Sequence, residues 1–346
     1  MPAYWLNLCF KVKQVKKTGE VLVFAEQEDG EVHPVTYELL GKGSELAAKL
    51  GVELTSVFLG CGISEKAVEL IQYGADKVYL YDSPSLETFD ATRYTTNIVE
   101  LVKETKPEIF LIGATRIGRS LAPRIAAALR TGLTADCVDL NLDKDGNLIQ
   151  IRPAFSGNIM AQVKTKTRPQ MATVRYKVMK ANKKVPGRKG TVIKKKVKVV
   201  KDTGTKILGK IKSDEVNLAE AEVIVSGGRG LKKPEDFALL KELAAALGGV
   251  VGSSRPLVDA GWIGKEHQVG FSGHTVKPRV YIACGISGAP QHLFGMRDSD
   301  VIIAINKDPS APIFNVADYA VIGDLYEILP LMVKQIQKIR SRRKTR

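Results

Sequence analysis

Residues 279–292, RVYIACGISGAPQH, pass from an apolar β-branched and aromatic run into a glycine-rich turn and on to a short helical stretch. Arg279 to Ala283 has the length and composition of a strand, and Gly288 to Met296 reads as the helix that follows it. A strand, a glycine turn and a helix start make half of a βαβ unit. Glycines at such a turn expose helix N-terminal amides, a natural anion site. The turn matches neither G-x-G-x-x-G nor G-x-x-x-x-G-K-[ST], so the standard nicotinamide and P-loop fingerprints are absent.

The same pattern extends to both sides. Ala221–Val225, Asp300–Ile305 (DVIIAI) and Tyr319–Ile322 read as strands, Glu235–Leu247 as a helix, and Asp324–Arg340 as an amphipathic closing helix. In open parallel sheets ligands bind beyond the carboxyl ends of the strands. Those ends carry Ser226-Gly227-Gly228-Arg229-Gly230, the turn 284–292, Asn306-Lys307-Asp308-Pro309 and Gly323-Asp324. Glycine allows close backbone approach to a phosphate and arginine neutralises it, although glycine-rich βα turns are also common without ligands. Asn306 and Asp324 suit ribose hydroxyls or an adenine edge, or equally a turn and an N-cap. His292 is open between a ligand contact and a helix-start histidine. Between the first two ends lies a stretch rich in Gly and Ser with one arginine, Gly252-Ser253-Ser254-Arg255-Pro256 to Gln268-Val269-Gly270-Phe271-Ser272-Gly273. It reads as a long functional loop rather than a βα unit. Together these features predict a site for a phosphate-bearing dinucleotide within residues 221–325.

The N-terminal half repeats the alternation, with strands at Glu20–Ala25, Thr55–Leu59, Lys77–Tyr81 and Glu108–Ile112. Helices are expected at Gly43–Leu50, Ser64–Tyr73, Asp90–Thr105 and Gly118–Arg130, and extended segments near Leu148–Ile151 and Met171–Tyr176. Near-continuous apolar strands separated by helices indicate parallel sheets covered on both faces. The expected architecture is α/β, two doubly wound domains with mainly parallel sheets, the second binding the dinucleotide. The expected boundaries are an extension over 1–19, a first domain over 20–205, a second over 206–330, and a basic helix and tail over 331–346.

The net charge of +15 is unevenly placed. Lys180–Lys212 carries +12 and Leu331–Arg346 carries +7, leaving about −4 for the remainder. Lys180–Lys212 reads as strand edges and linker at the domain boundary, and a solvated linker and tail explain the charge better than a nucleic-acid-binding face, which would interleave its basic residues with aromatic or groove-reading partners. Specific nucleic-acid binding is the remote alternative. Cys9, Cys61, Cys137 and Cys284 form no CxxC pair, and His267 and His274 lack partners at metal-ligand spacing. No apolar run approaches the ~20 residues of a membrane span. These features imply a cytoplasmic chain without a metal.

At the strand-end residues the sequence resembles the alpha subunit of electron transfer flavoproteins. The likeness runs through QVGFSGHTVKPRVYIACGISGAPQHLFGMRDSDVIIAINKDPSAPIFNVADYAVIGD, VSGGRG and VGSSRPLVDAGW, and more loosely through most of the first domain. It implies FAD as cofactor and a heterodimer with the beta subunit, for which the first domain serves as platform. It also implies a donor dehydrogenase and an acceptor oxidoreductase or ferredoxin. Arg229 with Ser287, Gly288, Ala289, Pro290 and Gln291 would hold the pyrophosphate and ribityl groups. Asn306, Asp324 and the adjacent Leu325 would lie at the adenosine end. Arg255 would lie against the isoalloxazine ring beside Ser254, in the pocket of Val269, Gly270 and Phe271. Ser272 would offer its hydroxyl near flavin N5, where the family often has threonine, and His292 would face the C2 carbonyl.

Electrostatics gives these roles a purpose. Reduction puts negative charge on the N1–C2=O side of a flavin. A cation about 4 Å away at an effective dielectric near ~20 stabilises that charge by roughly 4 kcal/mol, on the order of 0.2 V for one electron. Two versions of the function stay open. One is a single-FAD carrier. The other is an electron-bifurcating pair whose beta subunit binds a second FAD and oxidises NADH. Residues 152–161 (RPAFSGNIMA), 169–174 (PQMATV) and GFSGHTVKP look more like the second, anaerobic and nitrogen-fixation-associated branch. A nicotinamide dehydrogenase acting alone would need both the missing fingerprint and a proton-transfer pair.

Overall fold

A computed structural model describes residues 19–154, 159–198, 200 and 216–344. The expected extension lies outside them except for Gly19, as do residues 155–158 of the RPAFSGNIMA segment, the basic residues 201–212 and residues 345–346. The chain divides into two compact units, residues 1–208 and 209–346.

The first unit runs β1 (Val21–Ala25), β2 (Gln27–Glu28), β3 (Glu31–Val32), α1 (Pro34–Leu50), β4 (Leu54–Gly60), α2 (Ser64–Gln72), β5 (Lys77–Asp82), α3 (Ala91–Thr105), β6 (Ile109–Gly113) and α4 (Arg116–Leu129). It continues through β7 (Leu133–Cys137), β8 (Asp139–Leu142), β9 (Leu148–Ala154), β10 (Ile159–Val163), β11 (Gln170–Val174) and β12 (Thr191–Lys194). Seven strands form a parallel sheet in the order β12-β5-β4-β1-β6-β11-β7. The antiparallel hairpins β8-β9-β10 form a separate sheet. Alternate residues of the central strand serve opposite faces, as the period of two requires. Val21, Val23 and Ala25 join the core under α1 and α2, while Leu22 and Phe24 join the core under α3 and α4.

Helix α1 begins nine residues before the expected Gly43, capped by His33, whose side chain accepts from the Val35 amide. Gly41 and Gly43 lower its helix propensity and obscure its start in the sequence. Contact explains Gly43, because a Cβ there would come within 2.7 Å of Leu54 Cδ1.

The basic stretch after Lys180 contains one of the strand edges expected in it, and its charges are less solvated than a linker's would be. Over 191–194 it is a parallel edge strand, with Thr191 paired to Lys77 and Lys194 to Leu80. Its charges meet acids of the same unit: Lys184 with Glu69 at 2.8 Å, Arg188 with Asp76 at 2.8 Å, Lys195 with Glu104 at 2.6 Å, and Lys198 with Glu100. These acids lie some hundred residues away in the sequence, so no local spacing shows the pairing.

The second unit contains β13 (Val223–Gly227), α5 (Phe237–Leu247), β14 (Val250–Ser253), α6 (Arg255–Asp259), β15 (Val280–Cys284), α7 (Pro290–Met296), β16 (Ile302–Asn306), β17 (Tyr319–Ile322) and α8 (Leu325–Lys344). Its five strands are parallel in the order β14-β13-β15-β16-β17. The strand β14 corrects the long-loop reading of 252–273. It is four residues long, flanked by glycine, and its ladder partner is β13 alone, so its apolar signal is only Val250-Val251. Helices α5 and α8 cover one face, where Leu329 and Val333 join Leu240 and Leu243, and α7 contributes Met296 to the other. Both units are therefore doubly wound α/β folds.

Arg188 anchors the basic stretch, donating to the Ile71 carbonyl at 3.3 Å and to that of Ala75, besides its bond to Asp76. Arg188→Ala should lower stability by about 1–2 kcal/mol, because charge-assisted bonds to backbone are lost. Lys198→Ala, which removes one exposed ion pair, should change it by under about 0.5 kcal/mol. Urea denaturation followed by circular dichroism measures the difference.

Candidate functional site

The strand order of the second unit reverses between β13 and β15, because β14 lies on one side of β13 and every later strand on the other. Connections leave this point in opposite directions, opening a crevice at the carboxyl edge where such sheets bind ligands. The loops along this edge are tied into one rim by backbone bonds. Gly228 N donates to Cys284 O and Gly230 N to Gly285 O, both at 2.9 Å, and Gly285 N donates to Ile305 O at 2.8 Å. Gly323 N reaches Asn306 O at 3.0 Å, Ser254 N reaches Gly227 O at 2.9 Å, and Val269 N reaches Ser253 O at 2.9 Å. Phe271 N closes the series on Gln291 O at 2.8 Å.

The glycines serve this rim. A Cβ on Gly228 would lie 2.5 Å from Gly285 O, and one on Gly230 would lie 2.6 Å from Gly285 Cα. Gly285 adopts φ 63°, in the left-handed region. The sequence ascribed these glycines to approach by a phosphate; in the fold they first allow two loops to approach each other.

Three polar features of the crevice remain open to a ligand. Among the described residues, the backbone amides of Ser287, Gly288 and Ala289 donate to no protein acceptor. Arg229 is exposed and forms no ion pair among the described residues. Pro290 and Gln291 begin α7 directly after these amides. His292 is buried, 6% exposed, and its Nδ1 has no hydrogen-bond partner, while Nε2 lies 3.0 Å from the Tyr281 hydroxyl. Burial pushes the imidazole's pKa down to about 4, partly offset by the neighbouring Val269 carbonyl, so the ring is neutral at pH 7.

Other predicted residues have structural duties. Asn306 donates from Nδ2 to Ile286 O at 3.0 Å and accepts from the Asp308 amide at 3.0 Å, forming a turn. Asp324 accepts from the Tyr326 amide at 2.9 Å at the start of α8 and pairs with Lys307 at 2.8 Å. Lys307 and this amide hold the Asp324 carboxyl below the usual range. Both turn-and-cap alternatives are thus present. Leu325 is buried, with Cδ2 3.0 Å from the Cβ position of Gly285.

The ring-end candidates sit together on β14, α6 and the following loop. Ser254 precedes α6 and Arg255 opens it, its side chain 65% exposed and bonded through Nε to Asp259 Oδ2 at 3.1 Å. Val269 is buried, Gly270 has φ 142°, and exposed Phe271 stacks edge-on against Phe294 with centroids 5.3 Å apart. The Ser272 hydroxyl oxygen accepts from Gln268 Nε2 at 3.0 Å. Sequence reasoning missed Asp259, Gln268, Lys307 and Tyr281 as partners of the site. Only Asp259 had a legible signal, the i,i+4 spacing to Arg255, hidden because 255–259 read as loop.

The first unit has the same reversal, between β1 and β6, but fills it. The Glu26 carboxylate accepts from the Thr115 hydroxyl at 2.6 Å, and the Glu26 amide donates to Thr36 Oγ1 at 3.0 Å. A phosphate there would face a buried carboxyl. Among the described residues, no three His, Cys, Asp or Glu side chains gather as metal ligands, and no helix is long and apolar enough to cross a membrane.

Comparison with known proteins agrees with this division. Residues 21–200 match the electron transfer flavoprotein domain, and residues 217–297 match the electron transfer flavoprotein FAD-binding domain. Electron transfer flavoprotein subunit alpha of Thermoanaerobacterium thermosaccharolyticum is 51% identical, over 93% of this chain and 98% of that protein. Lactate dehydrogenase (NAD(+),ferredoxin) subunit LctC of Acetobacterium woodii is 47% identical over 92% of this chain and 77% of its own. Protein FixB of Rhizobium meliloti is 45% identical over 94% and 95% respectively. With matches that span both units, this chain belongs to the electron transfer flavoprotein alpha-subunit family, and its second unit is that family's FAD-binding domain.

Proposed function

We propose that this chain carries electrons as the FAD-bearing partner of an electron transfer flavoprotein beta subunit in the cytoplasm. It would link an NADH or acyl-CoA-type dehydrogenase to an acceptor oxidoreductase or ferredoxin, with electron bifurcation. The observation that carries the site is the crevice between β13 and β15, where free amides, an unpaired arginine and an unpartnered histidine nitrogen share one edge. Bound FAD supplies the ability to take and give electrons singly or in pairs.

The residues divide the work. Arg229 neutralises the pyrophosphate while the amides of Ser287, Gly288 and Ala289 donate to it, with Pro290 and Gln291 closing the cradle. Asn306, Asp324 and Leu325 would bound the adenosine end, with Lys307 paired to Asp324 beside it. At the ring, Ser272 accepts from Gln268, which leaves its own proton free to donate toward N5. Arg255 and Ser254 line the ring with Val269, Gly270 and Phe271, and His292 presents Nδ1 toward the carbonyl edge. The first unit would be the platform for the beta subunit.

Bifurcation is supported by the likeness to LctC, whose name couples NAD(+) with ferredoxin, and by the anaerobic character of the 152–161 segment. Copurified with its beta subunit, the protein should hold two FAD per heterodimer, and NADH should bleach flavin absorbance. A single flavin with no response to NADH would return the simple-carrier reading. Arg255 provides a second test. Its exposure and its pair with Asp259 screen the charge well below the roughly 4 kcal/mol of an isolated cation. Arg255→Ala should therefore lower the potential of the bound flavin by about 1–2 kcal/mol per electron, roughly 0.05–0.1 V. Asp259→Asn, which frees the guanidinium, should raise it. An unchanged spectroelectrochemical titration for both variants would remove Arg255 from the ring.

A further inference from the structure

Tyr281 lies within β15 with no exposed surface, and its hydroxyl meets His292 Nε2 at 3.0 Å. Ser226 on the neighbouring β13 is also fully buried, but its Oγ makes no hydrogen bond among the described residues, so His292 Nε2 is the one described partner of the phenol. A phenol with no exposed surface needs an acceptor for its proton. A neutral imidazole offers one donor and one acceptor nitrogen, and two arrangements exist. In one, Nε2–H donates to the phenol oxygen. The phenol proton is then left without an acceptor among the described residues, and the Nδ1 lone pair is buried without a donor. In the other, the phenol donates to Nε2 and Nδ1 carries the proton. This second arrangement gives the phenol proton its acceptor and leaves only the Nδ1 proton for a ligand to accept.

We infer that Tyr281 fixes His292 as its Nδ1–H tautomer, so that the nitrogen without a protein partner faces the flavin as a hydrogen-bond donor. Tyr281 is a positioning residue: it acts through the imidazole and touches no cofactor atom. The inference rests on the placement of FAD at this crevice. A donor there stabilises negative charge on the reduced ring, whereas the other tautomer would present a lone pair to the same carbonyl and oppose reduction. The buried, neutral imidazole thereby acts through a directed dipole.

The test uses the FAD-loaded heterodimer labelled with 15N-histidine, with the His292 signals identified by their loss in His292→Gln. The wild type should show Nδ1 at a protonated shift and Nε2 at an unprotonated one. Tyr281→Phe, which removes only the hydroxyl, should shift the ring toward Nε2–H and lower the flavin potential while keeping full FAD content. A wild-type ring protonated on Nε2 overturns the inference whether or not the variant folds, and so do unchanged His292 shifts in a loaded Tyr281→Phe. A loaded His292→Gln with unaltered flavin potential would place the flavin away from His292 and defeat the underlying reading, whatever the tautomer.

Discussion

The contact of Gly228 and Gly230 with Gly285 is the constraint on which the site depends. Two strand-end loops meet through backbone alone, at distances that any side chain would forbid. This contact brings the β13 and β15 turns together at the reversal of strand order, with Arg229 carried on one and Ser287 to Ala289 on the other. A larger residue at any of the three positions would separate the cation from the amides. Close backbone packing and anion binding are therefore one requirement met by the same glycines.

The two units show how one topology can be given or denied a ligand. Each has its reversal of strand order beside the first strand of its sheet. In the first unit the buried Glu26 carboxyl, which accepts from the Thr115 hydroxyl, occupies that place and would repel an anion. In the second, the corresponding place has small residues and unengaged amides. Fold alone says little about function here; the residues at one strand edge decide it.

The apolar strands were legible because a parallel, doubly covered sheet writes continuous apolar runs into the sequence, as in VLVFA and VYIAC. Edge strands were legible unevenly. Tyr319–Ile322 was readable from its apolar run, and the lysine-rich stretch as strand edges without bounds, whereas Val250–Ser253 has only two valines before its glycine and serine and read as loop. Edge strands pair on one side and carry fewer packing demands, so less of their environment is recorded locally. The same limit applied at the site. Arg229, Arg255 and His292 were legible as residues, but Asp259, Gln268 and Tyr281, which set their charge, hydroxyl and ring geometry, depend on contacts that no spacing in a strand reveals. Asn306 and Asp324 were equally legible as ligand contacts or turn residues, because one oxygen can serve both purposes.

The rim is closed by its own hydrogen bonds. Each loop that would meet the flavin is already tied to a neighbour by a backbone amide, from Ser254 through Gly285 to Gly323. Such a unit needs no cofactor as a folding template, so loading can be a late step in biogenesis that follows the packing of the sheet. Flavin supply would then govern how much of the protein is active without deciding how much of it survives.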